Sequence, residues 1–227
     1  MIAEPTADRG DRTREKLLNA AIDVFGRHGF DGATTRMLAE AAGVNQQAIP
    51  YYFGGKDGLY VATAEFIAAA INLRVKGVRE RIRARLAGAD AGGGAIGKAQ
   101  ARALLGEIVQ RMATLFAGNE SEPWARFIVR EQMQPTEAFR RLYDGVMSPL
   151  LDVICRLVGI LLAEPAESEH VRLRSLSLLG GVLVYRMAHA ATLAKLEWKQ
   201  VGPREMAAIQ ALATELVATI RPARSRP

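Results

Sequence analysis

The sequence predicts an all-α protein, and three observations carry that reading. Apolar residues recur at spacings of three and four along almost the whole chain. No segment alternates at period two, and the residue pairs that close β-hairpins are absent. Pro123, Pro135, Pro165 and Pro203 fall at or near the first turns of periodic runs, where a missing N–H is cheap.

The elements follow in order. Residues 13–28 place Leu17, Leu18, Ala21, Ile22 and Phe25 on one stripe, and Gly29 is the expected stop. Thr34 or Thr35 caps a second helix that runs to Ala42. Gly43-Val44-Asn45 forms a turn, and Asn45 caps a third helix expected to begin at Gln46. Gly54-Gly55 ends it. A long helix restarts near Asp57, carries Phe66, Ile67, Ile71, Val75, Val78, Ile82 and Leu86, and stops in the glycine-rich stretch 88–94. Further helices are expected at 98–117, 123–134, 136–162, 168–195 and 203–220.

Composition bounds the function. With 227 residues, nearly half of them apolar and a quarter charged, the chain can bury a real core. Cys155 is the one cysteine, so no internal disulfide forms and a reducing cytoplasm is expected. The N-terminus Met1-Ile2-Ala3-Glu4-Pro5 lacks the basic and apolar regions of a signal peptide. Arg156 interrupts the apolar stretch Leu150 to Ala163, and Arg174 and Arg186 bracket the stretch around Gly180-Gly181. Neither offers roughly 20 uninterrupted apolar residues, so no membrane partner is expected. The net charge of +6 invites a nucleic-acid reading, but residues 1–60 hold seven Lys/Arg against eight Asp/Glu. The excess lies in Arg74 to Arg85 and in Arg221, Arg224 and Arg226, so bulk charge is weak support for DNA binding.

Gly92 to Lys98 matches a phosphate-loop pattern, yet the preceding Arg79 to Leu86 is helical rather than a strand, and Ala99 stands where Ser or Thr would ligate magnesium. An interhelical linker is the better reading. His28, His170 and His189 are far apart, no metal-ligand spacing occurs, and no Ser or Cys sits at a strand-turn-helix elbow. Neither an enzyme nor a cofactor is expected.

Thr34 to Tyr60 is the informative stretch. Leu38, Ala39, Ala42, Val44, Ala48 and Ile49 are apolar where two short helices would touch, and Gly43 supplies the positive φ of a sharp turn. On period alone an ordinary helical hairpin fits as well. The polar positions shift the balance toward a helix-turn-helix, whose second helix enters the major groove. Gln46 and Gln47 open that helix and suit base edges, Arg36 could reach guanine or phosphate, and Tyr51, Tyr52 and Lys56 suit phosphate oxygens.

Residues 17–60, LLNAAIDVFGRHGFDGATTRMLAEAAGVNQQAIPYYFGGKDGLY, closely resemble the DNA-binding domain of TetR-family regulators. The match includes the first-helix AA…F…G pattern, the LA…AGV core and the closing aromatic-Phe-x-x-Lys-x-x-Leu. By position, the resemblance implies phosphate contacts from Thr34, Thr35, Tyr51, Tyr52 and Lys56, with Arg36, Gln46, Gln47 and Ala48 facing bases. One position departs: the family usually has Tyr where this chain has Pro50. A proline there removes the N–H that should bond the Gln46 carbonyl, so the helix must tighten or kink, and a phosphate-contacting hydroxyl is lost.

The segments REQMQPTEAFRRLYDGVMSPLLDVI and LSLLGGVLVYRMAHAATLAKLEW resemble the C-terminal domain of the CecR/CerR branch of that family. This implies a helical effector-binding domain whose last two long helices pair with their copies in a homodimer. Independently, residues 175–194 are apolar nearly all round, so this helix needs cover on more than one face. Gly180-Gly181 costs about 1 kcal/mol per glycine unless close packing compensates. Met206, Ile209, Leu212, Leu216, Val217 and Ile220 mark its partner helix, and a two-fold four-helix interface would set two reading heads about one DNA turn apart. An intramolecular core helix is the alternative.

Effector-pocket candidates are Phe116, Trp124, Phe127, Ile128, Glu131, Met133, Tyr185 and His189, apolar walls with a few polar groups. Tyr185, Arg186 and His189 bring polar tips near one region of an apolar helix, with Arg186 alternatively at the dimer seam. The expected organisation is a helix-turn-helix DNA-binding domain over 1–60, with 1–11 flexible, and a helical ligand-binding and dimerisation domain over 61–227. The expected function is repression released by a small apolar or amphipathic effector at a pseudo-palindromic double-stranded operator. The rival reading is a helical ligand-binding or scaffold protein that does not bind DNA.

Overall fold

The computed structural model describes residues 6–92, 94–118 and 121–222. Eleven α-helices and no strand occur among the described residues, as the periodicity predicts. Met1–Pro5, Gly93 of the glycine-rich loop, and Arg224 and Arg226 of the basic tail lie outside them. The chain divides into two compact units, one of Met1–Ile71 with Glu122–Val146, the other of Asn72–Ser121 with Met147–Pro227. Residues 122–146 thus belong with the N-terminal unit by packing, whereas the sequence reading draws a functional boundary at residue 60.

In the first unit, α1 spans Thr6–Gly32 and so takes in residues 6–11, expected as flexible chain. Gly29 leaves helical geometry at φ 71°, ψ −178°, and the chain resumes helical turns to Gly32. Leu17, Leu18, Ala21, Ile22 and Phe25 are all buried. α2 is Thr35–Ala42, α3 Ala48–Phe53 and α4 Lys56–Asp90. α6, Glu122–Met133, packs along α1, and α7, Glu137–Leu142, follows it. The Phe25 and Tyr60 rings meet edge to face at 4.8 Å, and Tyr60 lies 4.8 Å from Phe127, centroid to centroid. Such pairs add to the area they bury, and they lock α1, α4 and α6 into one core.

In the second unit, α5, Lys98–Ala117, is central and packs on α8, Ser148–Leu162, on α9, Glu169–Met187, and on α11, Pro203–Ala218. Of two long helices expected, one is continuous and one is bent. Glu137–Leu162 runs on helically through a π turn, Tyr143–Met147, just before Pro149, whose missing N–H cannot serve the ladder. Residues 168–195 bend by 79° where Ala188 separates α9 from α10, His189–Leu196. Met187, Ala188, His189 and Ala190 contain no helix breaker, so this bend is a tertiary effect.

By length and mean hydropathy the helices Lys56–Asp90 and Glu137–Leu162 reach membrane-span dimensions, despite the charges that interrupt them. Their apolar stripes are turned to protein: Leu59, Ile67, Val75, Ile82 and Leu86 are buried on one, and Val153, Ile154, Leu157, Val158 and Leu161 on the other.

Candidate nucleic-acid interface

α2 and α3 are short helices joined by a tight turn, and local chemistry builds each joint. Thr34 caps α2, its hydroxyl accepting from Met37 N at 3.1 Å. Gly43 ends α2 in the left-handed region, φ 62°, while Val44 N donates to Ala39 O at 3.0 Å. Asn45 Oδ1 accepts from Gln47 N at 2.8 Å within the turn ahead of α3, whose N-cap is Gln47 and not the expected Asn45. Leu38, Ala39 and Ile49 fill the hairpin's interior and are buried.

The start of α3 differs from the expected Gln46. Ala48 N donates to Asn45 O (2.9 Å) and Ile49 N to Gln46 O (3.2 Å), a 3₁₀-type turn, before Tyr51 N returns to Gln47 O (3.2 Å). Pro50 explains the tightening: it has no N–H to offer the Gln46 carbonyl, and Ile49 takes its place.

Of the residues singled out in the sequence, Thr34, Arg36, Gln46, Gln47 and Tyr51 are exposed, whereas Thr35, Ala48, Tyr52 and Lys56 are partly covered. Gln46, Gln47, Pro50 and Tyr51 are exposed in sequence positions i, i+1, i+4 and i+5, with Tyr51 80% exposed. Gln46 Nε2 donates to Thr35 Oγ1 at 2.7 Å, tying α3 to α2. Arg36 is exposed and pairs with Glu40 at 2.7 Å, one turn along α2, which raises the already high Arg36 pKa through that hydrogen bond and then the Glu40 charge. Tyr52 is half-buried, its ring edge-on to Tyr51 at 4.8 Å, and Ala48 is partly covered. Lys56 is engaged in structure: Nζ donates to Phe30 O (3.0 Å) and Ala33 O (3.1 Å) and lies 4.3 Å from the Phe30 ring. It closes the carboxyl end of α1 and retains one of three N–H groups for an external acceptor.

Sequence comparison decides what such a hairpin belongs to. Residues 17–63 match the family described as bacterial regulatory proteins, tetR family, and residues 101–223 match the C-terminal domain of the HTH-type transcriptional dual regulator CecR. CecR of Shigella flexneri is 31% identical over 190 residues, 84% of this chain and 82% of that protein. The chain is a TetR-family transcription regulator of the CecR type. Solved structures share its fold. Bacillus subtilis FadR in complex with stearoyl-CoA has a TM-score of 0.57 and 16% identity over 90% of this chain and 97% of that one. AibR in complex with isovaleryl coenzyme A and operator DNA has a TM-score of 0.62 and 12% identity over 93% and 100%.

For this TetR-family chain the eight effector-pocket candidates do not share one unit. Trp124, Phe127, Ile128, Glu131 and Met133 lie in the first, and Phe116, Tyr185 and His189 in the second. Phe127 and Glu131 are core residues: Phe127 packs on Tyr60, and the buried Glu131 carboxylate accepts from Tyr60 Oη (2.5 Å), Thr136 N (3.1 Å) and Thr136 Oγ1 (2.8 Å). Trp124 is buried too, and Met133 is 78% exposed. In the second unit Arg186 donates through Nε to Phe116 O at 2.8 Å and through Nη2 to Gly118 O, capping the end of α5 from within its own protomer. Tyr185 is partly buried, which pushes its pKa up, and His189 Nδ1 is buried with no hydrogen-bond partner. The second unit holds a cavity of about 520 Å³ lined by Leu86, Asp90, Ile96, Arg156, Ile160 and Glu164 among others, and by none of the eight candidates.

Four residues have roles that the sequence reading did not assign. Glu40 was legible as the i+4 partner of Arg36. Tyr60 and Glu131 pair across 71 positions, which no local pattern announces. Gly58 was passed over as a variable position, although a Cβ there would lie 1.8 Å from Phe53 O.

Proposed function

We propose that this regulator represses transcription by docking α3 in the major groove of a pseudo-palindromic duplex operator and lets go when a small apolar or amphipathic effector binds its C-terminal module. Residues 1–60 act as the DNA-binding module, and 61–227 as the effector-binding and dimerisation module. The observation that carries the reading is the outward side of α3 and of the turn leading into it, where Gln46, Gln47 and Tyr51 are exposed on a packed hairpin. Gln47 reads a base edge with its whole amide free, Gln46 with the capacity left by Thr35, and Arg36 in the orientation set by Glu40; Ala48 packs at the groove floor. Thr34, Thr35, Tyr51, Tyr52 and the remaining Lys56 N–H hold phosphates and fix the pose. AibR, solved with operator DNA and an acyl-coenzyme A, and FadR, solved with stearoyl-CoA, support both halves of the reading. Tyr185, partly buried, and His189, whose Nδ1 is buried without a partner, are the candidates with polar capacity to spare for an effector.

The test is binding of wild type, Gln47→Ala and Tyr51→Phe to duplexes selected by the wild type from a random library. Gln47→Ala should flatten the preference at one base pair per half-site by about 5- to 150-fold, the 1–3 kcal/mol of a bidentate contact. Tyr51→Phe should weaken every sequence alike. If selection yields no consensus, or both variants bind as the wild type does, the reading face is misassigned.

A further inference from the structure

We infer that Pro50 is itself a specificity determinant, reading the C5-methyl of a thymine in each half-site. The inference rests on α3 being the groove-facing helix. Within α3 the exposed residues are Pro50 and Tyr51, and the turn leading into it exposes Asn45, Gln46 and Gln47, so Pro50 follows the two glutamines by four and three positions. Of the other α3 residues, Tyr51 is exposed too, while Ile49 is buried and Tyr52 and Phe53 are partly covered. The backbone has already absorbed the missing N–H, since Gln46 O accepts from Ile49 N and the ladder resumes at Tyr51 N→Gln47 O. Pro50 therefore does not break the reading helix. It sets an apolar ring, with φ locked and no side-chain donor or acceptor, on a surface otherwise built of polar groups.

That chemistry selects its partner. A pyrrolidine ring in the major groove satisfies no base-edge donor or acceptor, and the apolar group on a major-groove edge is the thymine methyl. A cytosine at that place would set an N4 amino group against the ring, unpaired and stripped of water. The proline thus sorts T·A from C·G at one base pair, beside the pair read by Gln47. Gln46 Nε2 is engaged with Thr35 Oγ1, so the glutamine with an unengaged amide is Gln47.

Deoxyuridine substitution tests this without disturbing the protein. Consensus duplexes selected by the full-length wild type are remade with each thymine replaced singly by deoxyuridine, which removes only the methyl. One position per half-site should lose about fourfold in affinity, the burial of one methyl-sized group. For Pro50→Ala, which restores the N–H and keeps only one methyl of the ring's apolar surface, the loss on deoxyuridine substitution at that position should fall clearly below the wild type's. Thermal unfolding checks that the variant is folded. No deoxyuridine-sensitive position in the wild type, or the same sensitivity retained in Pro50→Ala, overturns the proline reading while the Gln47→Ala shift in base preference still stands. Loss of that shift as well overturns the reading face on which the inference depends.

Discussion

At the scale of single residues, the first unit is held by a polar contact that its sequence hides. Tyr60 Oη donates to the buried Glu131 carboxylate at 2.5 Å, and Thr136 supplies two more donors, so the charge is fully hydrogen-bonded in a dry place. Burial first, and the Glu131 hydrogen bond second, push the Tyr60 pKa well above its ordinary 10. A group whose folded pKa is raised stabilises the fold below its unfolded pKa and loses that contribution as pH climbs toward the folded value. Wild-type stability should therefore fall as pH rises above about 10. Tyr60→Phe should lose about 1.5–3 kcal/mol at pH 7, the worth of a hydrogen bond to a charged group, and should lack that part of the alkaline decline. Urea-denaturation midpoints between pH 7 and 11 decide it. Parallel pH profiles for the two proteins would show that the Tyr60 hydroxyl is not the titrating group.

At the scale of elements, the helices were legible where their cause is local and illegible where it is not. The Thr34 cap, the Gly43 turn and the α5 span Lys98–Ala117 follow from side chains within a few positions, and each stands as read. The tightened start of α3 was foreseeable from Pro50, but not its length, because which carbonyl Ile49 N would choose depends on the whole turn. The π turn at Tyr143–Met147 and the bend at Ala188 rest on neighbours distant in sequence. The scatter of effector candidates over two units has the same origin, since periodicity marks a buried face without naming what covers it. Gly58 shows the reverse, a local residue with a tertiary reason. It lets the first turn of α4 pass against the Phe53 carbonyl that ends α3, so no side chain fits between them. Gly58→Ala should push α3 off α4, lower stability by about 1–3 kcal/mol as overpacking does, and weaken DNA binding beyond what stability explains. A variant with wild-type unfolding and wild-type operator affinity would mean that the close approach carries no strain.

At the scale of the whole molecule, the question is what covers α9. Its inner residues Val171, Ser175, Leu178 and Val182 are buried in the second unit, whereas Leu173, Leu176, Gly180, Val184 and Met187 form a continuous exposed stripe at spacings of three and four. Of the apolar positions on α11, Ile209 and Val217 are spent in the same core, as is Ile220 just past its end, and Leu212 is exposed. A protomer therefore presents one apolar seam along α9 with Leu212 beside it, and Gly180 at its middle leaves room for a close helix crossing. A two-fold axis through Gly180 would lay this seam on its own copy. The pairing would also give regulation its lever, since an effector that favours one separation of two reading heads must weaken DNA that prefers another. Val184→Arg places a charge in each copy at the seam, where burial without a partner is costly. The wild type should sediment as a dimer at micromolar concentration and Val184→Arg as a monomer with unchanged helical content. The variant should keep half-site binding yet lose affinity for the full operator at least tenfold, because two linked heads bind the second half-site at high effective concentration. A wild type that sediments as a monomer, or a Val184→Arg protein that stays dimeric with full operator affinity, would place the dimer seam elsewhere.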